Sequence, residues 1–199
     1  MQQKSNTELF EMPYDKLKQR LQAITKSEDR TLLKTIYASL GRVGEIMNPR
    51  YTETYPGKGL TGKDLEVTPT TLTISLITEK RNVLRRVPIA RVDAPEHKYF
   101  KNNESWLADD IITCCVPFEN KNIWDYSTRW AELRFEKYFK EFGQHIHLLR
   151  HWRATHLLTG KASGVPVPMH IVAKMGGWKG TKVLSETYDS SVIEDYWGI

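Results

Sequence analysis

The chain has 199 residues, with 29 Lys and Arg against 24 Asp and Glu for a formal net charge of +5, and 40% of its residues are hydrophobic. That is enough apolar material for one packed domain, while no apolar run reaches the roughly 18 residues that would cross a bilayer and the opening MQQKSNTELF lacks the layout of a secretory signal. The two cysteines, Cys114 and Cys115, are adjacent, which rules out a disulfide framework, and the basic balance leans towards nucleic acid without specifying it.

In chain order, Leu17, Leu21 and Ile24 recur at helical spacing and predict a helix from Pro13 to about Lys26. A second helix follows, with Asp29 as its N-cap and Leu32, Leu33, Ile36, Tyr37 and Leu40 as its buried stripe, until Gly41 interrupts the pattern. DLEVTP, TLTISLIT and VLRRVPI, between Gly57 and Pro88, alternate or cluster β-branched residues and predict three antiparallel strands. Residues 93–122 read as an irregular connection with one short helix at SWLADDII. Periodicity resumes from Ser127 to Phe142, then in HLLRHWRATHLL (147–158), and in two short helices at MHIVAKMGG and TKVLSETYDS. The expected class is α+β, mainly helical with a small three-stranded sheet, in one domain without repeats or linkers.

HLLRHWRATHLL places two guanidinium groups and imidazoles among leucines and tryptophan, where desolving charge is costly. His147 and Arg150 are three residues apart and share a helical face. A guanidinium fork matches two phosphate oxygens, and Arg42, flanked by Gly41 and Gly44, is a second candidate; taken alone, its spacing to Glu45 favours an ordinary helical ion pair. His147 and His151 have the spacing of zinc helices, but no H-E-x-x-H glutamate or cysteine pair accompanies them, so no metal is assigned. Lys80 falls at the turn of the second and third strands, where a lysine is usually only solvated but can also reach a DNA groove, with Arg81, Arg85 and Arg86 as backbone-phosphate contacts. Tyr188 lies in a polar stretch after GGW; a phenol of pKa about 10 attacks poorly at neutral pH unless a base or cations assist it.

Read in order, GRVGEI, the hairpin lysine of EKRNVLRRVPI, HLLRHWRATHLL, GGW and SETYD resemble the five elements of the tyrosine recombinases, the phage-integrase family, over residues 14–190. Val87 and Pro88 follow Lys80 at the family's usual separation, and the Trp152–Arg153 pair resembles archaeal plasmid or virus integrases. The resemblance implies a DNA breaking-rejoining catalytic core in which Arg42 and Arg150 bind the scissile phosphate, Lys80 protonates the leaving 5′-oxygen, and His147 assists the nucleophile. Trp178 would donate to the phosphate, Glu45 would orient Arg42, and Tyr188 would form a 3′-phosphotyrosine. The spacing from Trp178 to Tyr188 is one residue longer than the family's, which makes Gly177 the alternative occupant; Tyr196 is the second candidate nucleophile.

The resemblance further implies recombination or integration of a viral or other mobile element at double-stranded DNA attachment sites, without cofactor or metal, in the cytoplasm. It carries the expectation that residues 1–199 are one catalytic domain whose N-terminal core-binding domain is absent, a monomer here and a homo-tetramer on two DNA sites at full length. A type IB topoisomerase, a telomere resolvase and an inactive DNA-binding module are the alternatives.

Overall fold

The computed structural model describes residues 12–47, 59–78 and 82–187. Helix α1 (Tyr14–Gln22) buries Leu17 and Leu21, and α2 (Ser27–Ser39) is buried along nearly its whole length because α1, α4, α5 and α6 pack around it. Asp29 does not cap α2: Lys26 precedes the first turn, and the fully buried Asp29 carboxylate accepts from the Tyr138 hydroxyl at 2.8 Å beside Lys26 and Arg134. A one-turn helix, α3 (Val43–Ile46), follows α2 after three residues.

The sheet has the expected three strands, β1 (Leu65–Val67), β2 (Thr71–Ile77) and β3 (Leu84–Ala90), in sequential antiparallel order with Leu76 opposite Arg85 and Ile74 opposite Val87. Alternation puts Leu72, Ile74 and Leu76 of β2, and Arg85, Val87 and Ile89 of β3, on the buried face. Pro88 is tolerated because β3 is an edge of this sheet.

The stretch that reads as irregular holds a longer helix than expected, α4 (Ser105–Cys115), carrying both cysteines as free thiols. The predicted 127–142 helix divides into α5 (Thr128–Tyr138), N-capped by the Ser127 side chain, and a separate 3₁₀ turn at Lys140–Phe142. Helices α6 (Leu148–Leu158), α7 (Met169–Gly176) and α8 (Lys182–Thr187) complete the chain order. The larger core unites α1, α2, α4 and α5 with the sheet; a smaller one gathers Leu40, Val87, Ala154, Leu157, Val172, Met175 and Leu184. Among the described residues no helix is long and apolar enough to cross a membrane.

Candidate active site

The site is built on two helix ends. Helix α2 stops at Leu40, which adopts the left-handed conformation (φ 52), uncommon for a bulky aliphatic residue. The last carbonyls of α2 therefore lack helical partners and face outward. The same is true at the end of α7, where Gly177 (φ 71) turns the chain. Arginines fill the gap between these two electronegative ends. Arg150 on α6 donates from Nη1 to the Leu40 carbonyl and from Nη2 to the Gly176 carbonyl (2.8 Å). Its guanidinium is 1% exposed and lies 3.9 Å from the centroid of the Trp178 ring, which covers it. Trp178 can lie there only because residue 176 is glycine: a Cβ on Gly176 would fall 1.7 Å from the ring.

Arg42 stands just before α3 with extended backbone and 24% of its side chain exposed. Glu45, one turn on, accepts from the Arg42 backbone N–H (3.0 Å) and from its Nη1 (3.1 Å), so the expected link between the two residues is present and fixes where the guanidinium points. Burial alone would raise the Glu45 carboxyl, but Arg85, then Arg42 and Arg150, hold it below the ordinary range.

Arg85 corrects the sequence reading. It is expected as a phosphate contact, yet it is buried at 5% exposure, because β-strand alternation sends it to the same face as Val87 and Ile89. Its guanidinium donates to the carbonyls of Ser39 (2.7 Å), Met175 (2.6 Å) and Leu40 (3.2 Å) and to Glu45 Oε2 (2.6 Å). Arg86, its neighbour on the opposite face, is exposed and pairs with Glu66.

His147 immediately precedes α6 and remains exposed. Its pKa is lowered to about 4, first by partial desolvation and then by Arg150, His151 and Arg42, so the imidazole is neutral at pH 7 despite its exposure. The His151 ring meets it edge-on at 5.6 Å. Among the described residues no group of three or more His, Cys, Asp or Glu is gathered as a metal site would need.

Lys80, Arg81 and Tyr188 lie outside the described residues, as does Tyr196. Their flanks are placed. The hairpin stem closes through Thr78 and Val83 (3.0 Å), and Thr78 sits beside Gly177, where a Cβ would meet its Cγ2 at 2.7 Å. Helix α8 ends at Thr187, the residue before Tyr188.

Arg42, Glu45, Arg85, Arg150, His147 and Trp178 thus converge around the ends of α2 and α7. Three guanidinium groups face one carboxylate, so the cluster keeps a net positive charge. Such a site can hold an anion with paired oxygens, beside a neutral imidazole able to accept a proton.

Neither a protein-family model nor a curated protein matches the sequence. Solved structures do match. XerH site-specific recombinase, in a post-cleavage complex with palindromic difH substrate, superposes with a TM-score of 0.61 at 17% identity over 96% of this chain and 52% of its own. A lambda integrase dimer bound to a COC′ core site gives a TM-score of 0.50 at 15% identity, over 94% of this chain and 61% of its own. The chain thus spans about half the length of the recombinase, and it shares the fold of the part of each of these proteins that it covers.

Proposed function

We propose that this chain is the catalytic domain of a site-specific DNA recombinase or integrase that works through a tyrosine nucleophile. One observation carries the reading: on a recombinase fold, Arg42 and Arg150, more than a hundred residues apart in sequence, are gathered with His147 and Trp178 around the ends of α2 and α7. In this reading the two guanidinium groups hold the non-bridging oxygens of one DNA phosphodiester and neutralise the charge that builds on them during displacement. The Tyr188 hydroxyl oxygen attacks phosphorus, an O–P bond forms, and the P–O5′ bond breaks. The phenolic proton passes to His147, whose basicity rises when an anionic phosphate offsets the neighbouring arginines. Lys80 protonates the departing 5′-oxygen.

The phosphotyrosine conserves the energy of the broken diester, so a 5′-hydroxyl from another strand can reverse the step without ATP. Exposed Arg86, together with Arg81, would add contacts to the DNA backbone. The substrate is a pair of double-stranded attachment sites. We expect a homo-tetramer on two DNA sites as the assembly that exchanges strands.

Nicked duplexes with a randomised stretch beside the nick trap such an intermediate, because the short 5′-fragment diffuses away and religation fails. The wild-type chain should give an adduct that survives denaturation and maps by mass spectrometry to Tyr188, and Tyr188→Phe should abolish it. An adduct persisting in Tyr188→Phe overturns the nucleophile, with Tyr196 next to be tested. Binding without any adduct in the wild type overturns the enzyme reading in favour of an inactive DNA-binding module.

A further inference from the structure

We infer that Arg85 is a positioning residue for the proposed cleavage, a buried brace that sets the spacing and the available charge of Arg42 and Arg150; this inference rests on the recombinase reading. Arg85 touches neither of those guanidinium groups through a hydrogen bond. It holds what they hold. Its Nη1 and Nη2 take the Ser39 and Leu40 carbonyls at the end of α2, and Nη1 also takes the Met175 carbonyl at the end of α7. Arg150 joins the same two helix ends through Leu40 and Gly176, so two guanidinium groups lie side by side as parallel ties and share the Leu40 oxygen. The left-handed backbone at Leu40 turns that oxygen towards both of them.

The second part of the role is electrostatic. Glu45 is fully buried and orients Arg42 with both of its oxygens. With Arg42 as its sole partner, that carboxylate would cancel the Arg42 charge and draw the guanidinium inward. Arg85 supplies a second cation at 2.6 Å on Glu45 Oε2. The arrangement leaves Arg42 directed by a carboxylate whose charge is already balanced, and its own charge stays available to a phosphate. The Arg85 stem also packs under the turn that carries Trp178, since a Cβ on Gly177 would lie 3.2 Å from Arg85 Cδ. One buried side chain therefore touches the supports of Arg42, Arg150 and Trp178.

A lysine at this position keeps the charge and loses the fork, so it cannot tie two helix ends and a carboxylate together. Single-turnover cleavage of the nicked duplex pool, together with its equilibrium binding, tests the assignment in Arg85→Lys, Arg42→Lys and the double variant. We expect Arg85→Lys to slow adduct formation by about 100-fold, the scale of a displacement of about 1 Å at the reacting centre. Duplex affinity should change by no more than about threefold, because a buried brace forms none of the phosphate contacts that dominate affinity. Placed on Arg42→Lys, the second change should slow cleavage by less than about threefold further, since residues acting through one network are not additive.

General damage to the fold would instead multiply the two losses, and that outcome overturns the assignment. So does wild-type cleavage by Arg85→Lys, or a fall in affinity that matches the fall in rate, which would return Arg85 to the DNA surface. If Arg85→Lys fails to fold, Arg85→Met paired with Glu45→Gln removes the unbalanced buried charge while leaving the two helix ends tied by Arg150 alone. The pair should fold and still cleave slowly, and full-rate cleavage by it overturns the brace. Absence of any adduct from the wild-type chain removes the recombinase reading and this inference with it, whereas normal cleavage in the variants removes the inference alone.

Discussion

Arg150 and Arg153 are one turn apart on α6 and both are buried, yet the structure treats them oppositely. Arg153 is closed off. Its two terminal nitrogens meet the two oxygens of Glu104 at 2.5 and 2.6 Å, Tyr37 lies 5.2 Å from its guanidinium, and the carboxylate holds the arginine firmly protonated against the cost of burial. Arg150 is held by backbone carbonyls of two helix ends, beside a carboxylate already occupied by Arg42 and Arg85. Dipoles support a cation without consuming its whole charge, whereas a bidentate carboxylate neutralises it. Burial alone therefore does not separate an arginine whose charge is neutralised from one whose charge stays available; the kind of acceptor does.

That contrast yields the largest expected effect. Arg153→Met leaves Glu104 buried without its cation and should lower unfolding free energy by about 3–5 kcal/mol in urea titrations, while adduct formation per folded molecule is kept. Arg150→Lys should do the reverse, cutting the cleavage rate by about 100 to 1,000-fold with a smaller loss of stability. Equal losses of rate and stability in both variants would erase the distinction.

The contrast was only half legible in the amino-acid pattern. Helical spacing marked Arg150 and His147 as sharing a face, and alternation marked all three strands, because these periods follow from backbone geometry. The same alternation contained the signal for Arg85: it is two residues from Val87 and four from Ile89, on the inward side of a strand, where charge count drew it outward instead. What fills the interior around it is two helix C-termini separated by more than a hundred residues, and no local pattern records that meeting. Asp29 misleads for the related reason that its partners, Tyr138 and Arg134, come from a distant helix. The Glu104 partner of Arg153 likewise comes from the stretch with the weakest periodicity, where α4 begins.

The closed side of α6 also predicts a pH response. His156 is buried beyond Arg153, its Nε2–H donating to the Met12 carbonyl at 2.7 Å while Nδ1 accepts from the Tyr37 hydroxyl at 2.8 Å. Its pKa falls to about 4, by desolvation first and by Arg153 second, with the Met12 bond and Asp15 opposing. Because the folded pKa lies below the unfolded 6.5, the unfolded chain binds the proton more readily across that interval. The stabilisation is present above pH 6.5 and is lost as pH falls towards 4. Between pH 7 and 4.5 it should amount to about 2 to 3 kcal/mol. Denaturant titrations of wild type and His156→Gln, which retains a donor for Met12 and an acceptor for Tyr37, should show the wild type losing that much more on acidification. Parallel pH profiles would place the acid sensitivity elsewhere.

The smallest effect probes the open side through Gly176. An alanine there fits the backbone of α7 but puts its methyl into the six-membered ring of Trp178, so the indole must leave the face of Arg150. The lost stacking should cost about 1 kcal/mol, within the range for a cation over an indole, and the released guanidinium gains rotational freedom that blunts its grip on a phosphate. Adduct formation should slow by about tenfold, less than for Arg150→Lys because the fork and its charge survive. Cleavage at the wild-type rate in Gly176→Ala would mean that Trp178 merely shields Arg150 before DNA arrives. A loss as large as that of Arg150→Lys would mean that the indole, rather than the two helix ends, sets where the arginine points.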